Sequence, residues 1–193
     1  MANMCRGRQF SWASMSVVIA FEVRPMVPAD VESIPHAFAA LGWPGKDAGL
    51  YRRYLGEQDR GSRSVRVAGA GSECLGYVTV LWDSSYAPFR DKGIPEISDL
   101  NVLPRYRRQH VGTALMDAAE SLIAARSVIA GLGVGLYADY AAAHRMYLKR
   151  GYLPDGQGIV YEFRPVVPGR TVRLDDDLNL MMTRPLTEVT ASM

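Results

Sequence analysis

The sequence predicts an α/β domain with a mixed central sheet of about six to seven strands flanked by about four helices. Three observations carry this. The elements run strand, helix, helix, three strands, helix, strand, helix, two strands, an order that suits a mixed sheet. Val111, Ala114, Leu115, Ala118, Leu122 and Ile123 recur at helical spacing and make an apolar stripe for packing on a sheet. The following segment, 128–137, is almost continuously apolar, as expected of a strand buried on both faces after a crossover.

Bulk properties set the frame. A chain of 193 residues, 48% hydrophobic and 22% charged, suits one globular domain with a sizeable core. We expect that domain over 17–186, with a disordered leader over 1–16 and a tail over 187–193. Twenty-two Lys and Arg against 20 Asp and Glu leave a net charge of +2, too weak a bias for a nucleic-acid partner. No run of about 18 apolar residues occurs, so no membrane span is expected. Cys5 and Cys74 show no metal-ligand spacing, and a reduced, cytoplasmic setting is the simpler expectation.

The elements follow in order. Residues 16–25 read as a strand rich in Val, Ile and Phe. Asp30 suits an N-cap for a helix over 31–41. Trp43 falls in a loop, and 47–58 form a second helix with Leu50, Tyr51, Tyr54 and Leu55 on one side. The Trp43 loop and these helices either wall an acceptor pocket or simply pack, packing being the plainer account. Strands are expected over 62–68 and 75–82, joined through Gly69-Ala70-Gly71. A polar and aromatic excursion over 83–93 leads to a strand over 96–102. The long helix then carries Asp117, Glu120 and Ser121 on its other side. A helix over 140–150 ends at Gly151. Strands over 156–163 and 178–183 close the chain as a hairpin, with Asp175-Asp176-Asp177 in the loop between them. This acidic run either attracts a cationic acceptor or is a solvated hairpin turn, the turn being the plainer account. Gly131, Gly133 and Gly135 lie in a strand and point to close backbone packing, not to a dinucleotide loop.

The stretch from Asn101 to Leu115 draws most attention. It passes from strand through clustered basic residues into the long helix. A helix start leaves N–H groups unpaired and is electropositive. Arg107, Arg108 and Gln109 beside Gly112 therefore make a site for a diphosphate. Downstream, Ala143-His144-Arg145-Met146-Tyr147 leads to Gly151-Tyr152.

These two motifs, about 35 residues apart, make the chain resemble the GCN5-related N-acetyltransferases, the GNAT superfamily, over roughly 17–186. The family signature Gln/Arg-x-x-Gly-x-Gly/Ala fits literally on Gln109-His110-Val111-Gly112-Thr113-Ala114. Arg107-Arg108-Gln109-His110-Val111-Gly112 is the preferred register, since it overlays the helix opening in the usual place and puts His110 where the first glycine usually sits. A histidine there must take an ordinary backbone angle or be strained. The resemblance implies acetyl-CoA as cosubstrate, gripped by Arg107, Arg108, Gln109, His110, Val111, Gly112 and Thr113. The strand through Leu100 and Val102 would pair with the pantetheine arm, and a backbone N–H near Val102 would steady the charge developing on the carbonyl oxygen. Tyr147 would be the general acid for the departing thiolate, and Glu96 the general base. Asp99 would face away from Glu96 in a regular strand, unless a bulge intervenes. The implied activity is acetyl transfer to a primary amine by direct attack in a ternary complex. A coenzyme-holding module without turnover, or transfer of another acyl group, stays open. The acceptor would be a small-molecule or peptide amine. The oligomeric state, a homodimer included, is open.

Overall fold

The computed structural model describes residues 19–42 and 46–186. The leader, the tail and Trp43 lie outside the described residues. Strand β1 (Glu22–Pro25) leads into α1 (Asp30–Phe38). Asp30 is not the cap but the first helical residue. Its buried carboxylate accepts the Val27 N–H at 2.8 Å and two Arg24 bonds at 2.7 and 2.9 Å, fastening β1 to α1. Asp47 does cap α2 (Ala48–Asp59), accepting the Leu50 N–H at 3.0 Å. Strands β2 (Arg63–Ala70) and β3 (Glu73–Leu81) make a hairpin that turns at Gly71-Ser72, two residues later than expected. Then come α3 (Ala87–Arg90), β4 (Glu96–Val102), α4 (Val111–Ala124), β5 (Ile129–Gly135), α5 (Ala141–Lys149), β6 (Leu153–Tyr161), β7 (Arg164–Pro165) and β8 (Leu178–Pro185).

The strands form one sheet in the order β1-β2-β3-β4-β5-β8-β6-β7. Every pairing is antiparallel except β4 with β5, which the α4 crossover makes parallel. The described residues give eight strands and five helices, more than expected. The extra strand β7 is a two-residue edge, and the extra helix α3 is a single turn within the 83–93 excursion. The last strand, β8, pairs with β6 as foreseen but also with β5, so it inserts into the middle of the sheet.

Strand β3 is buried at every position from Cys74 to Val80, so both faces of the sheet are covered there. Helices α1 and α2 pack together against β2 and β3, and α4 spans β1 to β5. Glu120, on the side of α4 away from the apolar stripe, is only 8% exposed, because Arg150 from the end of α5 and Arg184 from β8 close over it.

The 83–93 excursion builds a second apolar cluster from Tyr86, Phe89, Ile94, Val160 and Met181. Phe89 lies directly on Gly131: a Cβ there would come within 2.4 Å of its ring. Gly135 lies likewise under Tyr140. These glycines serve close packing, as expected. Gly131→Ala should therefore force the buried Phe89 ring aside and destabilise the fold by about 1–3 kcal/mol. Thermal unfolding checks this, and an unchanged Tm would show that the ring yields freely.

Candidate active site

Strands β4 and β5 pair only at Glu96 with Gly131 and Ile97 with Leu132. Beyond these, β4 stays on β3 as far as Val102, and β5 stays on β8 as far as Gly135. A wedge therefore opens between them, edged by main chain that has no sheet partner among the described residues. The cause is a bulge. Thr79 faces Ser98 and Tyr77 faces Asn101, so Val78 opposes two residues, Asp99 and Leu100. Asp99 takes φ 52°, and the extra residue bends β4 away from its neighbour. Leu100 and Val102, both half-buried, lie on this bent stretch.

The basic turn follows directly. Residues Pro104–Tyr106 make one 3-10 turn, and Arg107 is extended. Arg108 and His110 are left-handed, at φ 62° and 64°. His110 thus adopts the strained alternative, the conformation glycine takes at lowest cost. Its imidazole is exposed. The first helical bond of α4 is Ala114 N–H to the His110 carbonyl, 2.9 Å, which leaves the N–H groups of Val111, Gly112 and Thr113 unused by the helix.

Arg107 and Arg108 are exposed on this turn, and Arg107 Nε donates to the Val102 carbonyl at 3.2 Å. Gln109 is folded back, its amide donating to the Arg105 carbonyl at 2.9 Å. Its buried Oε1 has no partner among the described residues. The Val111 side chain is core, so only its N–H can serve the site. Arg105 is engaged elsewhere, with Glu73 at 2.5 Å and over the Tyr106 ring at 4.9 Å.

Gly112 is informative because the protein does not need it to be glycine. Its φ is not positive, and a Cβ there would meet Val102 at 3.7 Å and Met146 at 3.9 Å, ordinary contacts.

Tyr147 is 7% exposed on α5, its ring edge-on to Tyr152 at 6.0 Å. Burial pushes its phenol up to about 12. Glu96 is 4% exposed beneath the excursion, where the Ser84 hydroxyl donates to its carboxylate. Burial raises its carboxyl, opposed by Ser84 and by the charge of Arg63.

The bulge corrects the expectation for Asp99. It turns that carboxylate to the α2 side of the sheet, the side that also holds Glu96 and Arg63. Oδ1 accepts Lys46 Nζ at 2.5 Å and Asn101 Nδ2 at 2.7 Å; Oδ2 accepts the hydroxyls of Tyr54 and Tyr77, each at 2.9 Å. Sequence reasoning did not single out Lys46, Tyr77 or Asn101. The available signal was a tyrosine inside the apolar β3 run, opposite a mid-strand carboxylate. The Asp175-Asp176-Asp177 run is a knitted turn: Asp176 accepts the hydroxyls of Tyr137 and Tyr140, and Asp175 that of Tyr161.

No cluster of metal-ligating side chains occurs among the described residues, and no described helix is long and apolar enough to cross a membrane. Cys74 is buried, its thiol pushed up to about 12 by burial.

The fold recurs widely among solved structures. Ard1 from Thermoplasma volcanium is 22% identical, with 88% of this chain and 100% of that chain covered at a TM-score of 0.65. NAA60 from Arabidopsis thaliana, solved in complex with acetyl-CoA, is 16% identical, with 86% and 98% covered at 0.62. The ribosomal-protein-S18-alanine N-acetyltransferase from Escherichia coli is 16% identical, with 90% and 99% covered at 0.61. No curated protein matches the sequence. The family model described as acetyltransferase (GNAT) matches residues 30–152. That span takes in helices α1 and α2, the bulged strand, the basic turn and Tyr147, so the chain belongs to the GNAT acetyltransferase family.

Proposed function

We propose that the protein is an acetyl-CoA-dependent N-acetyltransferase acting on a primary amine by direct attack in a ternary complex. The wedge between β4 and β5, with an electropositive helix start at its mouth, is the observation that carries this reading. Acetyl-CoA, when bound, would supply the acyl carbon activated as a thioester. The residues present fit it. The N–H groups of Val111, Gly112 and Thr113 and the guanidiniums of Arg107 and Arg108 would hold its diphosphate. His110 serves through its backbone conformation, and Gln109 by bracing the turn from behind. The free edge of β4 from Leu100 to Val102 would bind the pantetheine arm as an added strand. A backbone N–H of that edge would face the carbonyl oxygen as negative charge develops there.

Two proton transfers remain. An alkylammonium has a pKa of about 10.4 and must lose a proton before it can attack. Glu96 would accept that proton through water, its carboxyl raised by burial and oriented by Ser84. Tyr147, protonated throughout the neutral range, would donate to the departing sulfur. The near-complete burial of Glu96 favours one rival, a module that holds the coenzyme without turnover.

Thiol release in the presence of acetyl-CoA and a panel of primary amines separates the two. Amine-dependent release supports the transferase, and tight coenzyme binding without release on any amine overturns it. Gly112→Ala tests the grip. It should leave the fold intact or stabilise it by about 0.4–1 kcal/mol, yet weaken acetyl-CoA binding by about tenfold or more, over 1.4 kcal/mol. Calorimetric titration checks this, and an unchanged Kd would remove the turn from the site.

A further inference from the structure

The Asp99 cluster has the chemistry of a receptor for a primary ammonium, and a lysine of the protein itself occupies it. Lys46 Nζ is 2.5 Å from Asp99 Oδ1, 2.8 Å from the Tyr77 hydroxyl and 5.5 Å from the centre of the Tyr77 ring. A carboxylate and a phenol oxygen are partners that recognise an alkylammonium through charge-assisted hydrogen bonds. Tyr51 supports the pocket from behind, its hydroxyl 3.2 Å from that of Tyr77.

The cluster stands at the wedge. Asp99 is the bulged residue on β4, just past the last pair with β5 and three residues before Val102. The pocket is not sealed: the side chains of Lys46 and Asp99 are 19% and 17% exposed. Nor does Asp99 require Lys46. Without it, the carboxylate still accepts Tyr54, Tyr77 and Asn101. Lys46 reaches in from the connection between α1 and α2, outside any helix or strand. Fixing its long side chain there costs rotamer freedom.

We propose that Asp99, Tyr54 and Tyr77 form the binding site for the acceptor's primary ammonium, and that Lys46 holds this place until an acceptor displaces it. The inference rests on the transferase reading above and adds where the amine sits and what competes with it. It assigns the acceptor a slim, unbranched alkylamine end, since a lysine stem already threads the entrance.

The test titrates n-butylammonium into the protein without coenzyme, followed by NMR. Lys46→Met keeps the length of the stem and removes the charge. It should bind the probe about tenfold more tightly than the unaltered protein. Adding Asp99→Asn to Lys46→Met should abolish the gain, with thermal unfolding confirming that each variant is folded. Equal affinity in the unaltered protein and Lys46→Met overturns the proposal, as does a gain that survives Asp99→Asn.

A second arm measures thiol release with acetyl-CoA and butylamine. Lys46→Met should lower KM about tenfold and leave kcat nearly unchanged. If the binding pattern appears but no variant releases thiol, the transferase reading fails and the ammonium site stands. If thiol is released but Lys46→Met moves neither Kd nor KM, the ammonium site fails and the transferase reading stands.

Discussion

Tyr147→Phe is expected to lower kcat by about a hundredfold or more, the usual worth of a positioned acid, and to leave the Kd for acetyl-CoA nearly unchanged. The substitution removes one oxygen from a residue whose role in the fold lies in its ring. That ring packs edge-on against Tyr152 and is 7% exposed. Phenylalanine preserves the packing, so the Tm should hardly move. The hydroxyl is the group the proposed mechanism uses. A phenol held up to about 12 by burial keeps its proton across the neutral range, so the acid form is available at every working pH. Loss of an interaction made only as the sulfur departs lowers kcat and kcat/KM together. Thiol-release kinetics beside a coenzyme titration read both quantities. Full turnover in the variant would take Tyr147 out of the chemistry.

Tyr147 stands out as a candidate in the sequence because its motif is local: a helix ending in Gly151 and Tyr152. The same holds for α4, whose stripe is written in its own residues, and for β4, whose bounds match the expected strand. What escaped depends on partners remote in sequence. The burial of Glu120 depends on Arg150 and Arg184, which arrive from two other elements. The insertion of β8 between β5 and β6 is invisible in β8 itself, since its residues suit a pairing with either neighbour. The 83–93 excursion looked like loop, yet Tyr86 and Phe89 become core once Val160 and Met181 are brought beneath them. The bulge at Asp99 combines both kinds of difficulty. A left-handed aspartate is tolerated locally, but only its pairing with β3 shows the extra residue. The candidate site was thus legible where it uses one stretch of backbone. It was illegible where it joins Lys46, Tyr54, Tyr77 and Asp99 from four places in the chain.

Glu120→Ala should be the most damaging single change to the fold, at about 3–5 kcal/mol. Glu120 Oε1 accepts Arg150 Nε at 2.9 Å, and Oε2 accepts Arg150 Nη2 at 2.6 Å and Arg184 Nη1 at 2.7 Å. The side chains of Glu120 and Arg150 are 10% and 14% exposed. Truncation would leave the Arg150 guanidinium with only Asp117, at 2.5 Å and itself 60% exposed. The cost comes from stranding two cations near the core, not from losing the attraction alone. A second comparison isolates that cause. Replacing Glu120, Arg150 and Arg184 together by apolar residues of similar volume should recover most of the loss, because no buried unpaired charge remains. For a chain of this size the single variant should lose on the order of 10 °C in Tm. A fall of only a degree or two would mean that water already screens the cluster. The same three residues join α4, the end of α5 and β8. Glu120→Ala should therefore also loosen α5, which carries Tyr147, and lower kcat at temperatures where the protein is still folded. If kcat were untouched below the transition, Tyr147 would owe its placement to its own packing against Tyr152 and not to the ion pairs that anchor its helix.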